Sequence, residues 1–278
     1  MADAADFERR FAGVSRLYGA AGLAKFQVAH VCVIGIGGVG SWAVEALARN
    51  AVGTITLIDL DNIAESNVNR QIHAQDGNFG KAKVTAMAER IVAINPAAKV
   101  HEIEDFVTSE NVAAMLANSF DVVLDAIDDA KAKVAIAAYC KAHHIPLIIV
   151  GGAGGRLYPT KIKVADLALV TGDRLLAKVR NQLRRGNAFT GAFPKGNDGT
   201  KKQLKFGIQA VYSDEQVSSP VLSANNQNET SCEVAAGITG LNCAGYGSSV
   251  CVTAPFGFTA AQLVLNTLLK SALLKLPN

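Results

Sequence analysis

Gly35-Ile36-Gly37-Gly38-Val39-Gly40 follows an apolar run and precedes a helical pattern, so it is the first place where this chain could do chemistry. Glycines at that spacing let a backbone turn tightly and approach a pyrophosphate, while the helix that follows offers free N–H donors. Asp59 stands 19 residues past Gly40, at the end of a second β-branched run, where a carboxylate can bind a ribose. These features alone mean only a dinucleotide or a nucleotide, and a dehydrogenase is the commonest owner of such a loop. The residues that follow point elsewhere. Asp61 lies two residues past Asp59; then come Ser66-Asn67-Val68-Asn69-Arg70-Gln71, Gly80-Lys81-Ala82-Lys83 and Asp125-Ala126-Ile127-Asp128-Asp129. Arg70 and Lys83 could hold a triphosphate, and Asp128 could hold magnesium through a hard oxygen ligand. Hydride transfer needs neither. A capped, salt-bridged turn is the plain structural alternative for Asn67 and Arg70, and a surface position the alternative for Lys83 and Asp128.

The elements that must position these groups alternate in type. Apolar strands are expected at residues 31–36, 54–59, 99–103, 121–125 and 146–150, with helices at 41–50, 81–94, 130–143 and a short one capped by Ser109 and running through Leu116. The 81–94 helix stops at Asn95-Pro96. Alternation of this kind predicts an α/β fold: a doubly wound, mainly parallel Rossmann-like sheet covered by helices, with ligands at the strand carboxyl ends. The predicted organisation is a nucleotide-binding domain over residues 1–155 and an extension over 156–278. That extension carries a strand near 161–165, a basic helix at 174–185, a Gly-, Asn- and Phe-rich loop, a strand at 207–212, a polar mobile stretch and an apolar C-terminal helix. From Val234 to Leu269 no Lys, Arg, Asp or Glu occurs, and residues 250–269 are long enough to span a bilayer. Pro255, Gly257, Gln262 and Asn266 interrupt them, which favours packing on the domain or on a dimer partner over membrane contact.

The chain has 278 residues, half of them hydrophobic, enough for one large core. The N-terminus lacks the apolar run of a signal peptide. Five cysteines occur without a Cys-x-x-Cys pair, so no structural zinc is expected and a reducing cytoplasm is the natural setting. The net charge of +3 is uneven. Residues 174–205 hold Arg174, Lys178, Arg180, Arg184, Arg185, Lys195, Lys201, Lys202 and Lys205 against Asp198 alone, for +8, leaving −5 for the rest. That asymmetry suits a polyanionic partner, with a solvated helix face as the bland alternative.

Over residues 10–155 the spaced motifs resemble the E1-like family that includes the molybdopterin and thiamin adenylyltransferases. The resemblance implies ATP and Mg2+, with the phosphate loop at Gly35, Gly37, Gly38 and Gly40. It implies Asp59 on the ribose, Asn67 and Arg70 on the polyphosphate, Lys83 on the adenylation transition state and Asp128 with magnesium. Asp61, Asn69 and Asp129 fall at the same strand ends and join the expected nucleotide site. The family borrows an arginine from the N-terminal segment of a second subunit, which implies a homodimer. The matching position here is Gly13, flanked by Arg10 and Arg16. The family's zinc-binding Cys pairs are absent from this sequence.

Asn69-Arg70-Gln71-Ile72-His73-Ala74, Ile94-Asn95-Pro96, Gly151 to Gly155, the basic stretch after Asp166-Leu167, Asn242-Cys243-Ala244 and Phe256-Gly257-Phe258 resemble one branch of that family, the bacterial tRNA threonylcarbamoyladenosine dehydratases. The implied activity is ATP-dependent cyclisation of a threonylcarbamoyl group on tRNA, with Arg174, Lys178, Arg180, Arg184, Arg185, Lys201, Lys202 and Lys205 as the tRNA surface. Cys243 could carry the acyl group as a thioester, against the plainer reading of an incidental cysteine. A monovalent cation (Na+ or K+) and a link to a cysteine desulfurase and sulfur-acceptor system are weaker implications. Adenylation of a ubiquitin-like sulfur carrier and an NAD-dependent dehydrogenase are the competing functions.

Overall fold

The computed structural model describes residues 6–186, 205–217 and 246–271. The strands are β1 (His30–Ile34), β2 (Thr54–Ile58), β3 (Lys99–Ile103), β4 (Val122–Asp125), β5 (Leu147–Val150), β6 (Ile162–Asp166) and β7 (Gln209–Ser213). They form one sheet in the order β3-β2-β1-β4-β5-β7-β6, parallel except for β6, which runs antiparallel to β7 at one edge. β1 pairs with β2 on one side and β4 on the other, so the strand order reverses there. A crevice opens at the carboxyl ends of such a switch point, and ligands of doubly wound sheets bind in it. The sheet continues through β5 into β7, joining the two halves of the chain.

The central strands are buried on both faces and read as continuous apolar runs, as parallel strands under helices must. On one face lie α2 (Gly40–Arg49), α3 (Lys83–Ile94) and α7 (Val250–Ser271), in a core with Leu47, Met87, Ile91 and Phe256. On the other, α5 (Ala130–Ala142) and α6 (Arg174–Arg185) pack through Ile136, Cys140, Val179 and Leu183.

Three local expectations change. The N-terminal segment, for which the sequence predicts no element, is α1 (Phe7–Val28), capped by Asp6, whose side chain accepts from Arg9 N, and broken at Gly19. Its buried residues Phe11, Gly22 and Phe26 are spaced by helical turns rather than run together, so no apolar block marks it. The short helix α4 (Val112–Met115) begins beyond Ser109, with Asn111 in the cap position. Ser109 instead bonds Glu110, and Thr108 Oγ1 accepts the Glu110 and Asn111 N–H groups. The first strand ends at Ile34, because Gly35 turns at φ 86°. α7 is long and apolar enough to cross a membrane, but 56% of its apolar window is buried inside the protein.

Candidate functional site

The phosphate loop is built by close approach. A Cβ at Gly40 would stand 1.8 Å from the Gly35 carbonyl oxygen, so only glycine lets α2 start where it does. The N–H groups of Gly37, Gly38 and Val39 have no acceptor among the described residues, which leaves a row of donors at a helix start. The loop is braced from behind by α7. A Cβ at Gly257 would lie 2.5 Å from the Val39 carbonyl oxygen and 2.9 Å from Ala43 N, so the two helices touch backbone to backbone. Thr253 of α7 and Trp42 of α2 both reach the Arg70 carbonyl, at 3.4 and 3.0 Å.

Asp59 follows β2 and is buried; its Oδ2 accepts Ile36 N at 2.6 Å and its Oδ1 accepts Asp61 N at 2.9 Å. Burial pushes its carboxyl above the usual range, while Lys83 and the two N–H bonds pull the other way. Lys83 opens α3, is itself buried, and places Nζ 2.6 Å from Asp61 Oδ2 and 3.9 Å from Asp59 Oδ1. Asp61 is half exposed. The side chain of Arg70 lies along the loop: a Cβ at Gly38 would meet its Cγ at 3.3 Å. Its Nη1 donates to Ser66 O and Asn69 Oδ1, while Nε and Nη2 have no partner among the described residues. Asn67 is buried in the 3-10 turn Glu65–Asn67, where its Oδ1 accepts Ala64 N.

On the β4 side, a Cβ at Gly35 would lie 2.9 Å from Ile127 N, so the turn that carries Asp128 one residue later approaches the loop. Asp128 is half-buried and has no hydrogen-bond or ion-pair partner among the described residues. Asp129 is the N-cap of α5, accepting from Ala132 N at 2.7 Å, as plain helix chemistry requires. Asn69 is spent on architecture too: its Nδ2 donates to Ser248 O and its carbonyl accepts Val250 N. Gly155 N donates to Gly247 O, so residues 247–250 strap the glycine-rich turn after β5 to the Arg70 segment. Buried Arg156 holds that turn, bonding Gly152 O, Asp173 and the carbonyls of Ser213 and Glu215.

The remaining expected residues separate. Arg10 Nη1 donates to the carbonyls of Ala93 and Ile94, closing the C-terminus of α3 in its own subunit, at the far end of that helix from Lys83. Arg16 is exposed and unpartnered among the described residues. On α6, Arg180 and Arg184 turn back to the Val170 and Ala168 carbonyls, and Arg184 lies over the Phe206 ring. Arg174, Lys178 and Arg185 are exposed at spacings that align them on one outward face, and Lys205 is exposed as well. Cys243, Lys201 and Lys202 lie outside the described residues.

Two residues here were given no role in the sequence reading. His73 is buried and its Nε2 lies 3.0 Å from the Ile36 carbonyl oxygen. Lys133, completely buried, bonds Asp125 Oδ1 at 2.9 Å below the Asp128 turn. The signal for Lys133 is its place eight residues past an aspartate that ends an apolar strand, within reach one to two turns into α5. His73 carries no comparable signal.

Beyond these geometric features, the chain matches the ThiF family model over residues 8–274. It is 44% identical over 271 residues, 97% of each chain, to a Haemophilus influenzae protein named tRNA threonylcarbamoyladenosine dehydratase. It is 43% identical over 272 residues, 96% of each, to the Escherichia coli protein of the same name. The crystal structure of E. coli tRNA N6-threonylcarbamoyladenosine dehydratase, TcdA, in complex with ATP superposes with a TM-score of 0.80 at 40% identity, covering 99% of this chain and all of that one. With its family model spanning nearly the whole sequence and its phosphate loop, Asp59, Arg70 and Lys83 gathered at one switch point, the chain belongs to the ThiF family.

Proposed function

We propose that this chain uses ATP to dehydrate N6-threonylcarbamoyladenosine in tRNA, closing the threonylcarbamoyl group into a ring through an acyl-adenylate. The observation that carries the reading is the convergence of Arg70 along Gly38 and Lys83 beside Asp59 on one phosphate loop. The near-full-length likeness to relatives bearing that activity in their names supplies the substrate.

Asp59 is placed to take the ribose, and the free N–H groups of Gly37, Gly38 and Val39 the phosphates. Asp61 holds Lys83 Nζ until a phosphate oxygen takes its place, a swap made easy because Asp61 faces water. The substrate carboxylate attacks the α-phosphorus, a P–O bond to pyrophosphate breaks, and Lys83 and Arg70 stabilise the charge that develops. The neighbouring carbamoyl oxygen then attacks the activated carbonyl carbon, the carbamoyl N–H loses its proton, and AMP leaves with one carboxylate oxygen. Both reacting groups sit on one substituent, so the protein chiefly orients them and excludes water. Magnesium, when bound, neutralises phosphate charge. The half-buried, unpartnered carboxylate of Asp128 beside the loop fits it as a single protein ligand, the phosphates supplying others.

Arg16, exposed on α1, is the residue we assign to the site of a second subunit; Arg10 is held by its own α3. The outward Arg174, Lys178 and Arg185 face is assigned to tRNA phosphates, and the enzyme to the cytoplasm, where its tRNA resides. The test is incubation with ATP, Mg2+ and tRNA carrying threonylcarbamoyladenosine, followed by mass analysis of the nucleoside. Loss of one water is expected. An unchanged nucleoside, with ATP–pyrophosphate exchange appearing only on addition of a Gly-Gly-tailed carrier protein, would move the activity to sulfur-carrier adenylation.

A further inference from the structure

Ile36 is held at both ends of its backbone. Its N–H donates to Asp59 Oδ2 at 2.6 Å, and its carbonyl oxygen lies 3.0 Å from His73 Nε2. A carbonyl oxygen can only accept, so the proton of the imidazole sits on Nε2 and Nδ1 is bare. Nδ1 is buried and has no partner among the described residues, and the whole side chain is 1% exposed. A histidine placed only to fill space has no need of one oriented bond and one orphaned nitrogen. No peptide bond in the described chain is cis. In a trans peptide the carbonyl of one residue and the N–H of the next point in opposite directions. Fixing the Ile36 carbonyl toward His73 therefore turns the Gly37 N–H away from the interior. That N–H has no acceptor among the described residues, where a Cβ built at Gly37 would meet nothing closer than Gln71 Nε2 at 4.0 Å.

We infer that His73 is a positioning residue for the nucleotide: by holding the Ile36 carbonyl it aims the Gly37 N–H at the polyphosphate. The inference rests on the ATP-dependent reading above and adds to it a residue that touches neither substrate. Burial supports the arrangement by pushing the imidazole pKa down to about 4, aided by Lys83 and Arg90, so the ring stays neutral and its tautomer is set by the one bond it makes. Ser41 N–H donates to the Gly37 carbonyl, but the side-chain oxygens of Ser41 and Gln71 are buried without a partner among the described residues, and neither side chain bonds the loop backbone.

The test compares His73→Leu, which removes the donor, with His73→Gln, whose amide nitrogen can stand where Nε2 stands. His73→Leu is expected to raise the KM for ATP about tenfold, the loss of one oriented hydrogen bond, with kcat and the KM for tRNA changed less than about threefold. His73→Gln is expected to recover most of the ATP KM. Should His73→Leu fail to fold, nitrogen-15 NMR of the wild-type protein decides. The inference requires the Nε2–H tautomer and a Gly37 amide resonance that shifts when ATP is added. An Nδ1–H tautomer, an unmoved Gly37 amide, or a folded His73→Leu with the wild-type KM overturns it. Wild-type protein that binds no ATP overturns the nucleotide reading and this inference together, whereas normal ATP binding with an indifferent His73→Leu overturns the inference alone.

Discussion

Two lysine–aspartate pairs stand at the carboxyl edge of the sheet, one after β2 and one at the end of β4, and they differ in one respect. Lys83 and Asp61 approach to 2.6 Å with Asp61 55% exposed; Lys133 and Asp125 approach to 2.9 Å with both side chains at 0%. The open pair can exchange its aspartate for a phosphate at little cost, because Asp61 returns to water. The closed pair cannot. Burial pushes the Asp125 carboxyl above its usual range, and Lys133 is the group that opposes this. Asp125 also accepts Ile127 N, so the closed pair fixes the turn that presents Asp128. In the proposed reading the two pairs therefore do different work: one is offered to the nucleotide, and the other shapes the edge beside it.

The sharpest way to break that comparison is Lys83→Ala. Loss of one charge that stabilises the transition state is expected to lower turnover by about a thousandfold. The same change should cost less stability than Lys133→Ala, since Asp61 is exposed and the buried Asp59 keeps its bonds from Ile36 N and Asp61 N. Near-wild-type turnover would remove Lys83 from the chemistry. Lys133→Ala should do the reverse, costing about 3–5 kcal/mol in denaturant unfolding by leaving a buried carboxylate alone. A Lys133→Ala protein as stable as wild type would show that the pair is not what holds the β4 turn.

The smaller effects separate bonded from outward charge on α6. Lys178→Ala and Arg185→Ala should each lower the salt slope of tRNA affinity by roughly 0.7, the loss of one contact to a single-stranded phosphate. Arg184→Ala should leave that slope alone and lower the melting temperature instead, because Arg184 is bonded to Ala168 O. Equal slopes for all three variants would erase the distinction. The last effect concerns acid. The His73 pKa falls from 6.5 to about 4 on folding, with Lys83 and Arg90 pushing the same way as burial. The unfolded chain then binds the proton first, so stability is full above pH 6.5 and declines as pH falls toward 4. His73→Gln should flatten that part of the stability profile relative to wild type; parallel profiles would contradict it.

The alternating strands and helices, the phosphate loop and the charged residues behind it were legible because glycine spacing and apolar periodicity carry them directly. Asp129 and Asn69 were not separable from Asp128 and Arg70 by type alone, since capping and ligand binding use the same side chains. In the structure Asp129 accepts Ala132 N and Asn69 donates to Ser248 O, whereas Asp128 has no partner among the described residues. Arg180 and Arg184 look like their exposed neighbours in sequence; helical phase and nearby open carbonyls turn them inward. The role of His73 was invisible because it depends on a partner brought near by the fold, 37 residues away, whereas Lys133 stands only eight residues past Asp125.

Oxygen transfer tests the central claim most directly. The threonylcarbamoyl carboxylate of the tRNA is labelled with oxygen-18 and incubated with the protein, ATP and Mg2+, and the phosphate products are analysed by mass. Attack on the α-phosphorus at the Arg70–Lys83 site places the label in AMP, with none in inorganic phosphate, and Lys83→Ala should suppress it. Label in inorganic phosphate would mean activation at the γ-phosphorus, and would contradict an acyl-adenylate.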